Sequence, residues 1–286
     1  MVTILEDKCK GCGSCVDICH ESCMSLIEGR VHIDYAFCST CAQCIAICPQ
    51  SALQWSNTLS EPFNDRSLPT SEEIDELLKQ RRTIRHFNAD KPDRRLVREI
   101  VNYGAYAPTH NHDFRIVAVD DRDHLEQIDR VVYYYNKKIY KYLYKSKIMS
   151  SLMSLLPSKQ LTEYLKAKPK LEHSLKIERG YYCLPPVMLF IIGSKRVPLS
   201  LESAQYILYN INLYAMTKGL GCRNLVGNQM FFNRNKSLRD TLQIKNGERI
   251  FATLGIGYPS KKFRNKVIGR TFDLRWSTAN IAAQTV

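Results

Sequence analysis

Eight cysteines fall into two runs of identical spacing. Cys9, Cys12, Cys15 and Cys19 recur 29 positions later as Cys38, Cys41, Cys44 and Cys48, so each run reads C-x2-C-x2-C-x3-C. Thiolates are soft ligands, suited to iron–sulfur clusters and to zinc. Three of them at two-residue gaps fit a 4Fe–4S cube, which takes three ligands from a compact loop and a fourth from farther off. Zinc modules are the alternative, but they use two C-x2-C pairs with a longer gap between them. The start of the chain has no basic segment followed by an apolar run, so no signal peptide is expected and a secreted disulfide scaffold is disfavoured.

The doubled run, closed by Cys48-Pro49, resembles the bacterial two-cluster ferredoxins. That resemblance implies two 4Fe–4S clusters with crossed ligation, the fourth cysteine of each run serving the other cube. Cys9, Cys12, Cys15 and Cys48 would hold one, and Cys38, Cys41, Cys44 and Cys19 the other. A segment this short could hardly fold on side-chain burial alone, and the clusters would supply much of its core. The match departs at Cys19-His20, where a proline is usual. It departs again at Cys23, an extra thiol that is either a spare buried cysteine or an alternative ligand. Cys183 and Cys222 read as core thiols.

A second constellation is Arg81-Arg82-Thr83-Ile84-Arg85, three guanidinium groups and a hydroxyl in five residues. Arginine forks bind phosphate well. One helical turn would place Arg81 and Arg85 on the same side. Farther on, Thr109-His110-Asn111-His112-Asp113 is dense in hydrogen-bonding side chains, and its histidines read as loop residues. The net charge of +13 is uneven: residues 1–60 carry −3 and the rest +16. The basic part would attract an anionic cofactor or an acidic redox partner. A nucleic-acid partner is not favoured, because little beyond charge supports it. The run from Tyr133 to Lys145 reads as an amphipathic helix. No stretch approaches the length of a membrane span, so no membrane partner is expected.

These groups need elements to position them. Residues 57–70 are polar, carry Pro62 and Pro69, and read as a linker between residues 1–56 and 71–286. Thr70 with Glu73 forms a capping box opening a helix with Ile74, Leu77 and Leu78 on its apolar stripe. The pattern predicts further helices over 93–106, over 122–165 with a break near Pro157, and over 201–218, closed by Gly219 or Gly221. Strands are predicted over 114–119, 187–192 and 249–257. Strands separated by long helices indicate an α/β or α+β domain.

Four motifs in this order resemble the FMN-dependent nitroreductase family. Arg81 to Arg85 looks like its R-R-S-x-R segment, and Ala107-Pro108-Thr109-His110-Asn111 like its A-P-S-x-x-N loop. Gly219-Leu220-Gly221-Cys222 with Leu225-Val226-Gly227 is similar to its G-L-G-x-C-W-I-G segment. Gly255-Ile256-Gly257-Tyr258-Pro259 is similar to its L-G-Y-P strand end. The resemblance spans about residues 71–276. The chain as a whole looks like a ferredoxin–nitroreductase fusion, an α+β protein with a small two-cluster ferredoxin-like domain followed by a nitroreductase-like α/β FMN domain.

The resemblance implies FMN contacts from Arg81, Arg82, Thr83, Arg85, Pro108, Thr109 and Asn111, by backbone from Leu225, Val226 and Gly227, and from the basic tail at Arg264 and Arg270. It implies a homodimer with FMN at the subunit interface, and a cytoplasmic oxidoreductase. Its electron donor would be reduced ferredoxin or NAD(P)H, and its acceptor a small electron-poor molecule such as a nitroaromatic, a nitroimidazole or a quinone. The alternatives are an electron-transfer or redox-sensing flavoprotein without a substrate of its own, or another FMN reductase such as an ene-reductase or dehalogenase. The sequence departs from the family at Arg223-Asn224, where an aromatic is missing, and at Asp113-Phe114. It assigns no side chain as a catalytic group.

Overall fold

A computed structural model describes residues 1–110, 113–155 and 157–276. The N-terminal part is built from two small antiparallel pairs and two short helices. In chain order these are β1 (Val2–Ile4), α1 (Ser14–Asp17), β2 (Met24–Ile27), β3 (Arg30–Ile33), α2 (Gln43–Ile47) and β4 (Leu53–Trp55). β1 pairs with β4 and β2 with β3. The 29-residue repeat of the cysteines therefore extends to the backbone: β1 corresponds to β3, and β4 to β2. The buried apolar core of this part is small, formed by Val2, Cys15, Cys23, Met24, Val31 and Leu53.

The remainder contains α3 (Ser71–Gln80), α4 (Arg94–Asn102), β5 (Phe114–Val119), α5 (Arg122–Tyr140), α6 (Lys147–Ser154), α7 (Ser158–Lys176), β6 (Val187–Ser194), α8 (Ser200–Thr217), β7 (Gly221–Asn224), α9 (Gln229–Arg234), α10 (Lys236–Thr241) and β8 (Glu248–Gly257). The sheet order is β5-β6-β8-β7, antiparallel throughout. β6 is buried on both faces, and its alternation divides it between two cores. Val187, Leu189 and Ile191 pack with α4 and α8. Met188, Phe190 and Ile192 pack with Leu125, Ile128 and Val132 of α5 and with Phe232 and Leu238 beyond β7. A register shift on β8 opposite Ile191 and Ile192 inserts one residue. It turns both Phe251 and Ala252 toward the α8 side.

The helix opening at Thr70 is as expected. The Thr70 hydroxyl accepts from the Glu73 N–H at 3.2 Å, and the Glu73 carboxylate accepts from the Thr70 N–H at 2.7 Å. Two expected helix bounds need correction. The helix over 93–106 stops at Asn102 and tightens into a 3-10 turn over Tyr103–Tyr106. The helices after 122 run to Lys176 rather than 165, with Pro169 inside the last of them. Gly219, at φ 73°, follows α8 directly, whereas Gly221 already begins a strand. That strand, β7, is too short for its alternation to show in the sequence.

One ion pair ties β5 to β8 across β6. The Arg115 guanidinium donates to both oxygens of Glu248, at 3.1 and 2.8 Å, and to the Gln243 carbonyl at 2.7 Å. Arg115 is the main cause that holds the Glu248 carboxyl down at about 2. Arg94 and Lys91 likewise hold Asp120 well below the usual carboxylate range. A depressed carboxyl stabilises the fold fully where neither state binds the proton, and loses that contribution over the range where only the unfolded chain binds it. The contribution of the Glu248 pair is thus complete above the ordinary glutamate value and is lost as pH falls toward 2. Thermal denaturation from pH 6 to pH 2.5 should show the native protein losing more stability than Arg115→Met. Parallel curves would refute the role.

Candidate functional site

The thiols gather in two places. Cys9, Cys12, Cys15 and Cys48 line one cavity, together with Ile4, Val31 and Leu53. Cys38, Cys41, Cys44 and Cys19 line a second, with Val2, Met24 and Ile33. Cys23 is a fifth thiol on the second cavity. The short helices that bring the cysteine loops round start from left-handed residues, Gly13 at φ 82° and Ala42 at φ 61°. Among the described residues, no three His, Cys, Asp or Glu side chains converge on the position of a single metal ion.

The third cavity is lined by Thr83, Arg85, Lys170, Arg223, Asn224 and Gly227, among others. Segment 81–86 is not helical. α3 ends at Gln80, and Arg81 has φ −56° and ψ 122°. The chain then runs extended beside β7, where the Ile84 N–H donates to the Cys222 carbonyl at 2.9 Å. The helical-turn expectation for Arg81 and Arg85 is therefore replaced by an alternation of period two. Ile84 turns into the core, while Thr83 and Arg85 face the cavity. Close approach to β7 requires Gly221, where a Cβ would stand 2.2 Å from Ile84 Cγ1.

The other residues expected at the site are distributed as follows. Arg82 bends back on α3, donating to the carbonyls of Lys79 at 2.7 Å and Arg81 at 2.8 Å, which suits a cation at a helix C-terminus. Arg81 is half-buried and outside the cavity lining. Leu225 and Gly227 belong to the wall, and Val226 lies between them in a 3-10 turn. Pro108 and Thr109 lie elsewhere, beside the start of α8, where the next residue, His110, donates its N–H to Ser203 Oγ at 3.2 Å. The Thr109 hydroxyl is buried without a partner among the described residues. Asn111 and His112 lie outside the described residues. Arg264 and Arg270 are exposed on the tail after β8, which reaches back to α3 through the Lys266–Glu76 ion pair.

Several lining residues carried no signal in the sequence. Asn136 of α5 and Lys170 of α7 reach the wall from the helices that pack over it. Arg223 stands out in the sequence only as a departure from the family pattern. It is half-buried, its guanidinium 5.1 Å from the centre of the Tyr181 ring and 3.3 Å from the Cys183 carbonyl, to which it donates. Burial lowers its pKa from the ordinary value, and the Arg85 charge acts in the same direction. Asp129 holds this wall by accepting the Tyr181 N–H at 2.7 Å. Asn228 donates to the Tyr181 hydroxyl at 2.6 Å. The lining holds three cations and no carboxylate, so the cavity is built for an anionic or electron-rich group.

An antiparallel four-stranded sheet between helical layers, with an arginine-bearing extended strip against its edge strand, defines the α+β class of this body. The sequence pattern of the Nitroreductase family matches residues 78–258, and the chain belongs to that family. Solved structures with the same fold include a nitroreductase with bound FMN from Bacteroides fragilis. It is 15% identical and has a TM-score of 0.50, over 72% of this chain and 99% of that one. A nitroreductase with bound FMN from Desulfitobacterium hafniense is 12% identical with a TM-score of 0.51, over 70% and 97%. An FMN-dependent nitroreductase from Clostridium difficile is 16% identical with a TM-score of 0.50, over 72% and 100%. No curated protein gives a match. Among the described residues, no helix is long and apolar enough to cross a membrane.

Proposed function

We propose that the chain is an iron–sulfur flavoprotein oxidoreductase. Electrons enter at two 4Fe–4S clusters held by the N-terminal thiols and pass to FMN in the cationic cavity. They leave to an electron-poor small molecule such as a nitroaromatic, a nitroimidazole or a quinone. The observation that carries this reading is the coexistence of two four-thiol cavities with a cationic cavity on a nitroreductase-family body.

The residues present fit both groups. Cys9, Cys12, Cys15 and Cys48 would hold one cluster, and Cys38, Cys41, Cys44 and Cys19 the other. Three cysteines in one tight loop, twice over, suit a cube better than a single zinc ion. Arg85, Arg223 and Lys170 would neutralise the negative charge of FMN, while Thr83, Asn136 and Asn224 offer hydrogen bonds. When bound, FMN accepts single electrons and delivers two, which is the chemistry a cluster donor and an organic acceptor require. The chain's own part is to position the groups and set the charge around them. The family's aromatic is missing at Arg223-Asn224, and the half-buried Arg223 cation there would bias the site toward substrates that gain negative charge. A homodimer with Pro108, Thr109 and Asn111 presented to the partner's cavity, and a donor such as reduced ferredoxin or NAD(P)H, belong to the same reading. Cluster thiols suit a reducing compartment such as the cytoplasm.

Anaerobically purified protein should contain about eight irons and one FMN per chain. Reductive titration followed by visible and electron paramagnetic resonance spectra should show clusters and flavin filling in sequence. Zinc in place of iron, or no flavin after reconstitution, would sink the reading.

A further inference from the structure

The two thiol cavities are related by the 29-residue repeat. Ile4 answers to Ile33, Cys15 to Cys44, and Leu53 to Met24 across the two linings. Cys48 of the first cavity answers to Cys19 of the second. Four residues beyond Cys48 stands Ala52, which is 2% exposed. Its backbone N–H donates to Cys48 Sγ at 3.3 Å. Four residues beyond Cys19 the same place is taken by Cys23, which is 7% exposed and lines the second cavity. Its Sγ lies 3.4 Å from Cys19 Sγ. The repeat is thus broken at one buried position, where a thiol replaces a methyl group beside a ligating sulfur.

We propose that Cys23 is a positioning residue that donates an S–H hydrogen bond to Cys19 and makes the cluster of the second cavity easier to reduce. The inference rests on the iron–sulfur reading. A thiolate bound to iron has no proton, so in the Cys19–Cys23 contact only Cys23 can donate. Reduction adds negative charge to the cluster and its sulfurs. A donor aimed at a ligating sulfur stabilises the reduced state more than the oxidised one, which raises the potential. At the matching place beside Cys48, Ala52 brings only its backbone, and the side-chain contact of the first cavity lies on another thiol, Ser14 Oγ standing 3.5 Å from Cys12 Sγ. Cys23 is not required as a ligand, since four thiols already face each cavity. The consequence is a second cluster whose potential lies above the value it would have with alanine at position 23.

The test compares the native protein with Cys23→Ala and Cys23→Ser, each purified anaerobically at full length. Iron and flavin are counted, and both cluster potentials are read by titration under electron paramagnetic resonance. Cys23→Ala installs the residue its counterpart already carries, so about eight irons and full flavin are expected. At a fixed potential the reduced-to-oxidised ratio of one cluster should fall about fivefold, about 40 mV for a one-electron couple. The other cluster should not move. Cys23→Ser keeps a donor and should restore most of the shift. Two unchanged potentials in Cys23→Ala would overturn the proposal. A fall to about four irons would overturn it too, by making Cys23 a ligand. Absence of iron from the native protein would instead remove the iron–sulfur reading on which it rests.

Discussion

On the proposed iron–sulfur reading, Cys48→Ala is expected to lose the cluster of the first cavity and keep that of the second, taking iron from about eight to about four per chain. Cys48 stands 33 positions after Cys15 and only four after Cys44, so proximity in sequence argues for the opposite loss. The cavity lining decides otherwise, because Cys48 faces Cys9, Cys12 and Cys15. Double variants make the test sharp, since changes in one site fail to add and changes in independent sites do add. Cys12→Ala combined with Cys48→Ala should leave the same four irons as either alone. Cys41→Ala combined with Cys48→Ala should leave almost none. The reverse pattern would refute crossed ligation. Flavin content should stay full throughout, because the family body has its own two cores.

Arg85→Ala should weaken FMN binding by about 10- to 150-fold, the loss of one charge-assisted contact worth about 1.5–3 kcal/mol. Arg85→Lys should recover part of it, since charge returns without the planar fork. Arg223→Ala should have a comparable effect, because this guanidinium is already held by Tyr181 and the Cys183 carbonyl and loses little freedom on binding. Iron content should be unchanged in all three. Fluorimetric titration of the flavin-free protein gives the dissociation constants. Normal affinity in Arg85→Ala would remove the arginine from the site. Arg82→Ala serves as the contrast. Its guanidinium caps α3, so the expected loss is helix stability rather than flavin.

The sequence was most legible where chemistry and local spacing coincide. Thr70 and Glu73 announce a helix start, and the structure closes both hydrogen bonds of the capping box. The apolar run around Met188 to Ile192 announces a central strand, although not how its two faces are shared between cores. The segment at Arg81 was misleading for a physical reason. Arginines four apart look helical, yet pairing of Ile84 with Cys222 pulls the strip into extended backbone. Tertiary hydrogen bonding outweighed local periodicity there, and it changed which residues share a face.

By itself the sequence determined the two equivalent thiol runs, the order of the family motifs and the charge contrast between residues 1–60 and the rest. All of these are properties of neighbours along the chain. Only the tertiary structure decided what meets across distance. Antiparallel pairing of β1 with β4 and of β2 with β3 returns the end of each half-repeat to the start of the other. That return places Cys48 with Cys9 and Cys19 with Cys38. Packing of α5 and α7 over the end of β7 likewise brings Asn136 and Lys170 to Arg223. No local spacing encodes such meetings. They follow from burying the apolar faces of strands and helices, which carries the polar groups on their edges into one cavity.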